Sequence, residues 1–503
     1  MPVRSIVKEK PIASEHVPIG HDILSLISSA MYVEPLTIYR ELVQNCADSV
    51  DDAVVAGILE PHEARVDLTV DALHRQIVVR DNGAGVGNAD FIETMCAIGA
   101  SPKRGSSARG FRGIGRLVGL GYAQELVFRS RSNARERVME AVWDARLLKE
   151  LLRSRHRAPL DEVVAEVVKV SERTAGPEEP ERFFEVELRK VVRLSDDALL
   201  NAQAVERYLS QVAPVPFDPA FSHGEEISRE LREHGPYQTI DVRVNAGECL
   251  TRPYRDELPI SASKTAHIAD FEVVTIPSYD GDQIAAMAWV ARHEHLGAFP
   301  RRLGVRGLRA RVGNLQIGDE RVFAAAFPEE RFADWTIGEV HVYDPRITPN
   351  GRRDDFEPSL HLSNLLAHLA AAGKDAARVA RSSSAERRIE RGFASVQAAL
   401  KEYGRLLKLS PEAHILRDEL MGDVRAELDR AQRRLVGSDH RRWERQISEI
   451  KKQIEKTEAM VLKAHGRATQ REMGRVDVLR ALRSQIPGGL QISTALLKVL
   501  AQG

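Results

Sequence analysis

At 503 residues the chain exceeds one ordinary domain, and its 43% apolar content supplies enough material for buried cores, which excludes a disordered polypeptide. Lys and Arg number 72 against 73 Asp and Glu, so net charge names no partner, although the segment from Arg381 onward is basic and the rest acidic. Cys46, Cys96 and Cys249 lie far apart with no C-x-x-C pair, which excludes a disulfide framework and a thiolate zinc site.

The N-terminal stretch lacks the basic, apolar, small-residue order of a signal peptide, and no run of about 20 apolar residues follows that could cross a bilayer. The expected setting is the cytoplasm, without a membrane partner. Residues from His21 to Ser29 read as a short helix. A second helix runs from about Leu36 to Ile58, with Ile38, Leu42, Val43, Cys46, Val50 and Val54 at helical spacing. Val66–Val70 and Gln76–Arg80 alternate as strands, as do Glu125–Ser130, Glu136–Trp143 and Phe183–Lys190, with a helix over Asp196–Val212. Sheet and helices segregate, so a two-layer α+β domain over residues 1–217 is expected.

Residues 218–358 read as a smaller α+β domain with strands at Thr239–Val244, Ala285–Ala291 and Arg309–Val312. From residue 359 to the end the pattern is helical. Ile389, Phe393, Val396, Leu400, Tyr403 and Leu407 form one seam, and Ser410-Pro411-Glu412 marks a stop and a new start. Leu416, Leu420, Val424, Leu428 and Leu435 form a second seam, ended by Gly437-Ser438, and Trp443, Ile447, Ile450, Ile454, Thr457 and Val461 form a third. A coiled-coil hairpin or small bundle used for dimerisation is the expectation.

Three local patterns bear on chemistry. Glu41, Asn45 and Asp48 fall at i, i+4 and i+7 on the second helix and share a face, which suits either a functional stripe or a solvated one. Asp81-Asn82-Gly83-Ala84-Gly85 follows an alternating strand, and Asn-Gly there also suits a hairpin turn. Gly99-Ala100-Ser101-Pro102-Lys103 precedes Arg109-Gly110-Phe111-Arg112-Gly113-Ile114-Gly115, and such closely spaced glycines let backbone N–H groups approach an anion or form a plain surface loop. No Gly-x-x-x-x-Gly-Lys-Ser/Thr run exists, so a P-loop is excluded. His293-Glu294-His295 reads as surface charge rather than a metal site.

Taken together, in this order and spacing, the three patterns resemble the GHKL ATPases, a class that includes the ninety-kilodalton heat-shock chaperones, MutL, type II topoisomerases, microrchidia proteins and histidine kinases. Residues 40–51 are most similar to the chaperones, whereas Gly110-Phe111-Arg112-Gly113 is more like MutL. The resemblance implies a Bergerat-type two-layer fold binding ATP with Mg²⁺. On it, Asp81 accepts from the adenine amino group, Gly83 and Gly85 let the backbone pass the ring, and Asn45 ligates Mg²⁺. Glu41 polarises the attacking water, Asp48 shares the nucleotide face, and Gly110, Phe111, Arg112, Gly113, Ile114 and Gly115 form a phosphate lid with Lys103 beside it. Pro349-Asn350-Gly351-Arg352-Arg353 resembles the chaperone segment whose arginine reaches the γ-phosphate, with Arg353 the candidate and Arg352 its rival. Two departures are plain: Phe183-Phe184-Glu185 stands where the family carries a threonine, and the middle region is far shorter than in the chaperones. The resemblance implies ATP-gated closure of a homodimer. Its output is chaperone-like work on a protein partner, or DNA clamping as in MutL, in genome maintenance or anti-phage defence. A nucleotide-gated scaffold with negligible turnover is the third possibility.

Overall fold

A computed structural model describes residues 34–96, 115–153, 160–193, 197–409, 417–433 and 440–463. The predicted helix at 21–29, the lid residues 103 and 110–114, and the breaks at 410–412 and 437–438 lie outside the described residues.

The first helix, Thr37–Val55 (α1), buries Ile38, Leu42, Val43, Cys46, Ala47 and Val50, and also Arg40, Glu41, Gln44 and Asp48. The stripe of Glu41 and Asp48 is therefore not a solvated face. Strands Arg65–Asp71 (β1) and Gln76–Asp81 (β2) pair antiparallel, Val66 opposite Asp81. Their alternation decides which groups reach the core. On β2 the buried positions are Ile77, Val79 and Asp81, so the same period that buries two aliphatic side chains delivers a carboxylate inside. The chain does not turn back at Asn82-Gly83 as a hairpin; it enters a loop and then helix Asn88–Cys96 (α2).

Strands Glu125–Arg131 (β3), Val138–Asp144 (β4), Val168–Arg173 (β5) and Phe183–Arg189 (β6) extend the sheet, with helices Ala145–Arg153 (α3) and Leu160–Val167 (α4) between β4 and β5. With the parallel strand Asp241–Val244 (β7), the order is β5-β4-β3-β6-β2-β1-β7. That last strand is a correction. Its sequence reads as the start of the second domain, yet it pairs with β1, Val66 against Val242, and Ile240, Val242 and Val244 join the first core. A single helix over 196–212 is likewise replaced by a short turn at Ala198–Leu200 and helix Ala202–Val212 (α5), because the Asn201 side chain accepts from Ala204 N at 3.1 Å and caps a new start.

Beyond helix Gly224–His234 (α6) come the small hairpin Glu257–Ser261 (β8) and Lys264–His267 (β9), then a five-stranded sheet. It contains Asp270–Pro277 (β10), Ile284–Arg292 (β11), Gly307–Val312 (β12), Leu315–Ile317 (β13) and Ile337–Val342 (β14), in the order β10-β11-β14-β12-β13. Its core carries a buried ionic cluster. Glu339 on β14 meets Arg252 at 2.5 Å and Arg311 of β12 at 2.6 Å. Arg311 also donates to the Gln211 carbonyl at 2.7 Å and Arg252 to the Val215 carbonyl at 3.0 Å, so the cluster fastens this sheet to the chain leaving α5. His293 directly follows the end of β11, His295 takes φ +49°, and the two rings lie 4.3 Å apart; burial pushes the His293 pKa down to about 4, so this imidazole is neutral and partly buried rather than a surface charge. Among the described residues no group of His, Cys, Asp and Glu could hold a metal ion.

The chain divides into two compact units, residues 1–377 and 378–503, and helix Leu360–Leu409 (α7) begins in the first and ends in the second. In the second unit α7 is followed by Arg417–Arg433 (α8) and His440–Lys463 (α9). Ile389, Phe393, Val396, Leu400 and Tyr403, Leu420, Val424 and Leu428, and Trp443, Ile450 and Ile454 share one core, so the three seams close into a helical bundle. No helix among the described residues is long and apolar enough to cross a membrane.

Candidate nucleotide site

Asp81 and α1 are joined by hydrogen bonds that leave the loop after β2 little freedom. Asp81 Oδ1 accepts from Ser49 Oγ and from Gly83 N, both at 2.9 Å. The Cys46 thiol lies buried near Asp81, and burial together with that carboxylate pushes the thiol pKa up, so Cys46 stays protonated. Ala84 N donates to the Ser49 carbonyl at 3.0 Å, and Val86 N to Ser130 Oγ at 2.7 Å. Arg182 closes the set by donating to the Gly83 carbonyl at 2.8 Å.

Both loop glycines are needed. A Cβ at Gly83 would stand 2.4 Å from Ser49 Oγ. At Gly85, φ is +64° and a Cβ would meet the Arg131 carbonyl oxygen at 2.4 Å. Gly115, the one lid glycine among the described residues, sits so close to α1 that a Cβ there would lie 3.0 Å from Glu41 Oε2.

Glu41 is nearly inaccessible, with two guanidinium groups beside it. Arg40 Nη2 approaches Glu41 Oε1 at 3.4 Å, and Arg353 Nε approaches the same oxygen at 3.7 Å. Arg353 also donates to Gln44 Oε1, one turn further along α1. Arg352, its rival in the sequence, is exposed. The turn that carries Arg353 is tied from both sides. Arg40 donates to the carbonyls of Arg352 at 3.0 Å and Arg353 at 3.1 Å, while Gly318 N donates to the Arg353 carbonyl at 2.8 Å. Arg353 itself is held at φ +56°, a conformation that costs a non-glycine residue roughly 1–2 kcal/mol and that the surrounding bonds must offset.

Asn45 stands between the two halves of this site, half-buried one turn from Glu41. Its Nδ2 is buried without a hydrogen-bond partner among the described residues, so the carboxamide is not committed to the protein's own network. An uncommitted amide, a buried carboxylate held by two donors and a glycine backbone fit a purine nucleotide whose phosphates carry Mg²⁺, to which a single amide oxygen is enough protein ligation.

The sequence profile of the histidine kinase-, DNA gyrase B- and HSP90-like ATPases matches residues 39–173, the segment that supplies Glu41, Asn45 and Asp81. Residues 39–173 belong to a GHKL-type ATPase domain whose sheet is completed by β6 and β7. The chain is also similar to chaperone protein HtpG of Rhizobium meliloti, 28% identical over 88 residues, and of Methylobacterium nodulans, 32% identical over 90 residues. These segments are 16% and 17% of this chain, and the chain spans only 14% and 15% of the length of those relatives. Within the class, the matched segment is similar to part of these HSP90-type chaperones.

Several groups that build this candidate site escaped the sequence reading. Arg40, Gln44 and Ser49 sit on the same helix as Glu41, and Gln44, three positions after it, already belonged to the face being read. Ser130 and Arg182 act across the sheet, where no local spacing announces them. In place of the family's threonine, Phe184 pairs with Asp81 across β2 and β6, and both Phe183 and Phe184 are buried.

Proposed function

We propose that this GHKL domain binds Mg-ATP through Asp81, Gly83, Gly85, Asn45 and Asp48 and hydrolyses it with Glu41 as base. The lid of Gly110, Phe111, Arg112, Gly113, Ile114 and Gly115, with Lys103, would close on the phosphates. Asp81, an acceptor fixed by two donors, selects a ring that presents an amino group. Asn45 would offer its amide oxygen to Mg²⁺, which when bound would supply positive charge to the nucleotide phosphates. Glu41 orients a water and takes its proton, and Arg353 supplies a guanidinium that complements charge on the γ-phosphate. The single observation that carries the reading is Arg353, from beyond the second sheet, lying against Glu41 and Gln44 on α1.

A three-part division, with the first boundary moved past β7 and the second at 358, a homodimer formed through the helical region, and ATP-gated closure complete the proposal. Its output is remodelling of a protein partner, a reading supported by the likeness to HtpG. Steady-state hydrolysis should be measured with duplex DNA, single-stranded DNA and an unfolded protein in parallel. Stimulation by the unfolded protein is expected. Stimulation by duplex DNA alone would replace this output with a DNA clamp, and no turnover under any condition would leave a nucleotide-gated scaffold.

A further inference from the structure

We propose that Gln44 is a positioning residue for Arg353, presenting the guanidinium beside Glu41 before any nucleotide arrives. The inference rests on the catalytic part given to Arg353 above. Its physical ground is separate. Gln44 is 2% exposed, and a buried carboxamide oxygen needs a donor; here that donor is Arg353 Nη1. Glu41 and Gln44 are one turn apart, so they offer two acceptors along one line of α1, and the flat guanidinium lies along both, Nε toward Glu41 and Nη1 toward Gln44. Arg40 fixes the backbone of the same turn through two carbonyls, and Asn350 knits the turn internally, its Nδ2 donating to Asp354 Oδ1 at 2.6 Å.

All of these bonds join the protein's own groups, so the arginine is ordered without help from a phosphate. A long side chain loses rotamer freedom when it is fixed, and here that loss precedes ATP binding, which leaves more of the phosphate contact to act on the reaction. The chemical type at 44 matters as well. A neutral amide holds the guanidinium more weakly than a carboxylate does, so it can yield to a γ-phosphate that a glutamate would compete with.

The test uses the full chain, with Mg-ATP turnover and amide hydrogen exchange across residues 350–355 in the nucleotide-free protein. Gln44→Met keeps the side-chain volume and removes the acceptor. It should speed exchange in that turn and lower kcat about tenfold with KM nearly unchanged. Gln44→Glu should leave exchange slow yet also lower kcat, because the arginine is then held too tightly. In an Arg353→Ala background, Gln44→Met should cost nothing further. Slow exchange and a parental kcat in Gln44→Met, while Arg353→Ala is impaired, would overturn this inference alone. Fully additive losses in the double variant would overturn it too, since Gln44 would then act without Arg353. A parental rate in Arg353→Ala is a different failure, which removes the arginine's catalytic part and the purpose of its clasp together.

Discussion

Changing Glu339 to Gln strips the negative charge from a fully buried site while keeping its shape. The carboxylate accepts from Arg252 at 2.5 Å, Arg311 at 2.6 Å, His341 at 3.0 Å, Tyr254 at 3.2 Å and Trp289 at 3.3 Å. Burial alone would raise its pKa, but Arg252 and Arg311 outweigh burial and hold it well below the carboxylate range. Without that charge two guanidinium groups remain in the core facing one another. Breaking a buried pair from one side costs roughly 3–5 kcal/mol, and the amide, which keeps one acceptor oxygen, places Glu339→Gln near the lower end, about 3 kcal/mol. Denaturant unfolding followed by tryptophan fluorescence reads this directly, because Trp289 is itself a partner of Glu339. Glu339→Ala should lose more than Glu339→Gln. A loss under about 1 kcal/mol in both variants would mean that the cluster does not hold the second sheet to the chain after α5.

Two further expectations concern catalysis and pH. Glu41→Ala should still bind Mg-ATP, while turnover falls about 100-fold or more; hydrolysis at the parental rate would show that another group is the base. His341 is buried beside Arg252 and Arg311, and burial, aided by these arginines and opposed by Glu339, brings its pKa down to about 4 from an ordinary 6.5. The folded form therefore keeps His341 neutral where the unfolded chain protonates it. Its contribution is complete above about pH 6.5 and is lost as pH falls toward 4, by roughly 1.4 kcal/mol per pH unit. His341→Gln should flatten that part of a stability–pH curve, and an unchanged slope would contradict the assignment.

Local spacing revealed what local physics fixes. The helical period of α1 and the alternation of β1 and β2 placed Glu41, Asn45 and Asp81 from sequence, because burial of their aliphatic neighbours determines where each polar group points. The same reasoning left the stripe's solvation open, since periodicity says which residues share a face and not what covers it. In the fold, α5, the Gly115 turn and the Arg353 turn pack around α1, and its Arg40, Glu41 and Asp48 are buried. Pairing between distant segments was less legible. Strand β7 reads like any short alternating run, and only its match to the open edge beside β1 assigns it to the first sheet. The ties from Ser130, Arg182 and Gln44 depend on partners 44, 99 and 309 positions away, distances over which no motif carries information.

The central claim is that Asp81 anchors an adenine nucleotide, and calorimetric titration of the full chain with Mg-ATP tests it most directly. Asp81→Asn exchanges an acceptor-only carboxylate for an amide that can present a donor to the adenine amino group, a buried mismatch of roughly 1–3 kcal/mol. The parent should bind Mg-ATP, and a folded Asp81→Asn variant should bind it at least about tenfold more weakly, with GTP bound poorly by both. Equal ATP affinity in parent and variant would contradict the claim and remove Asp81 from the site.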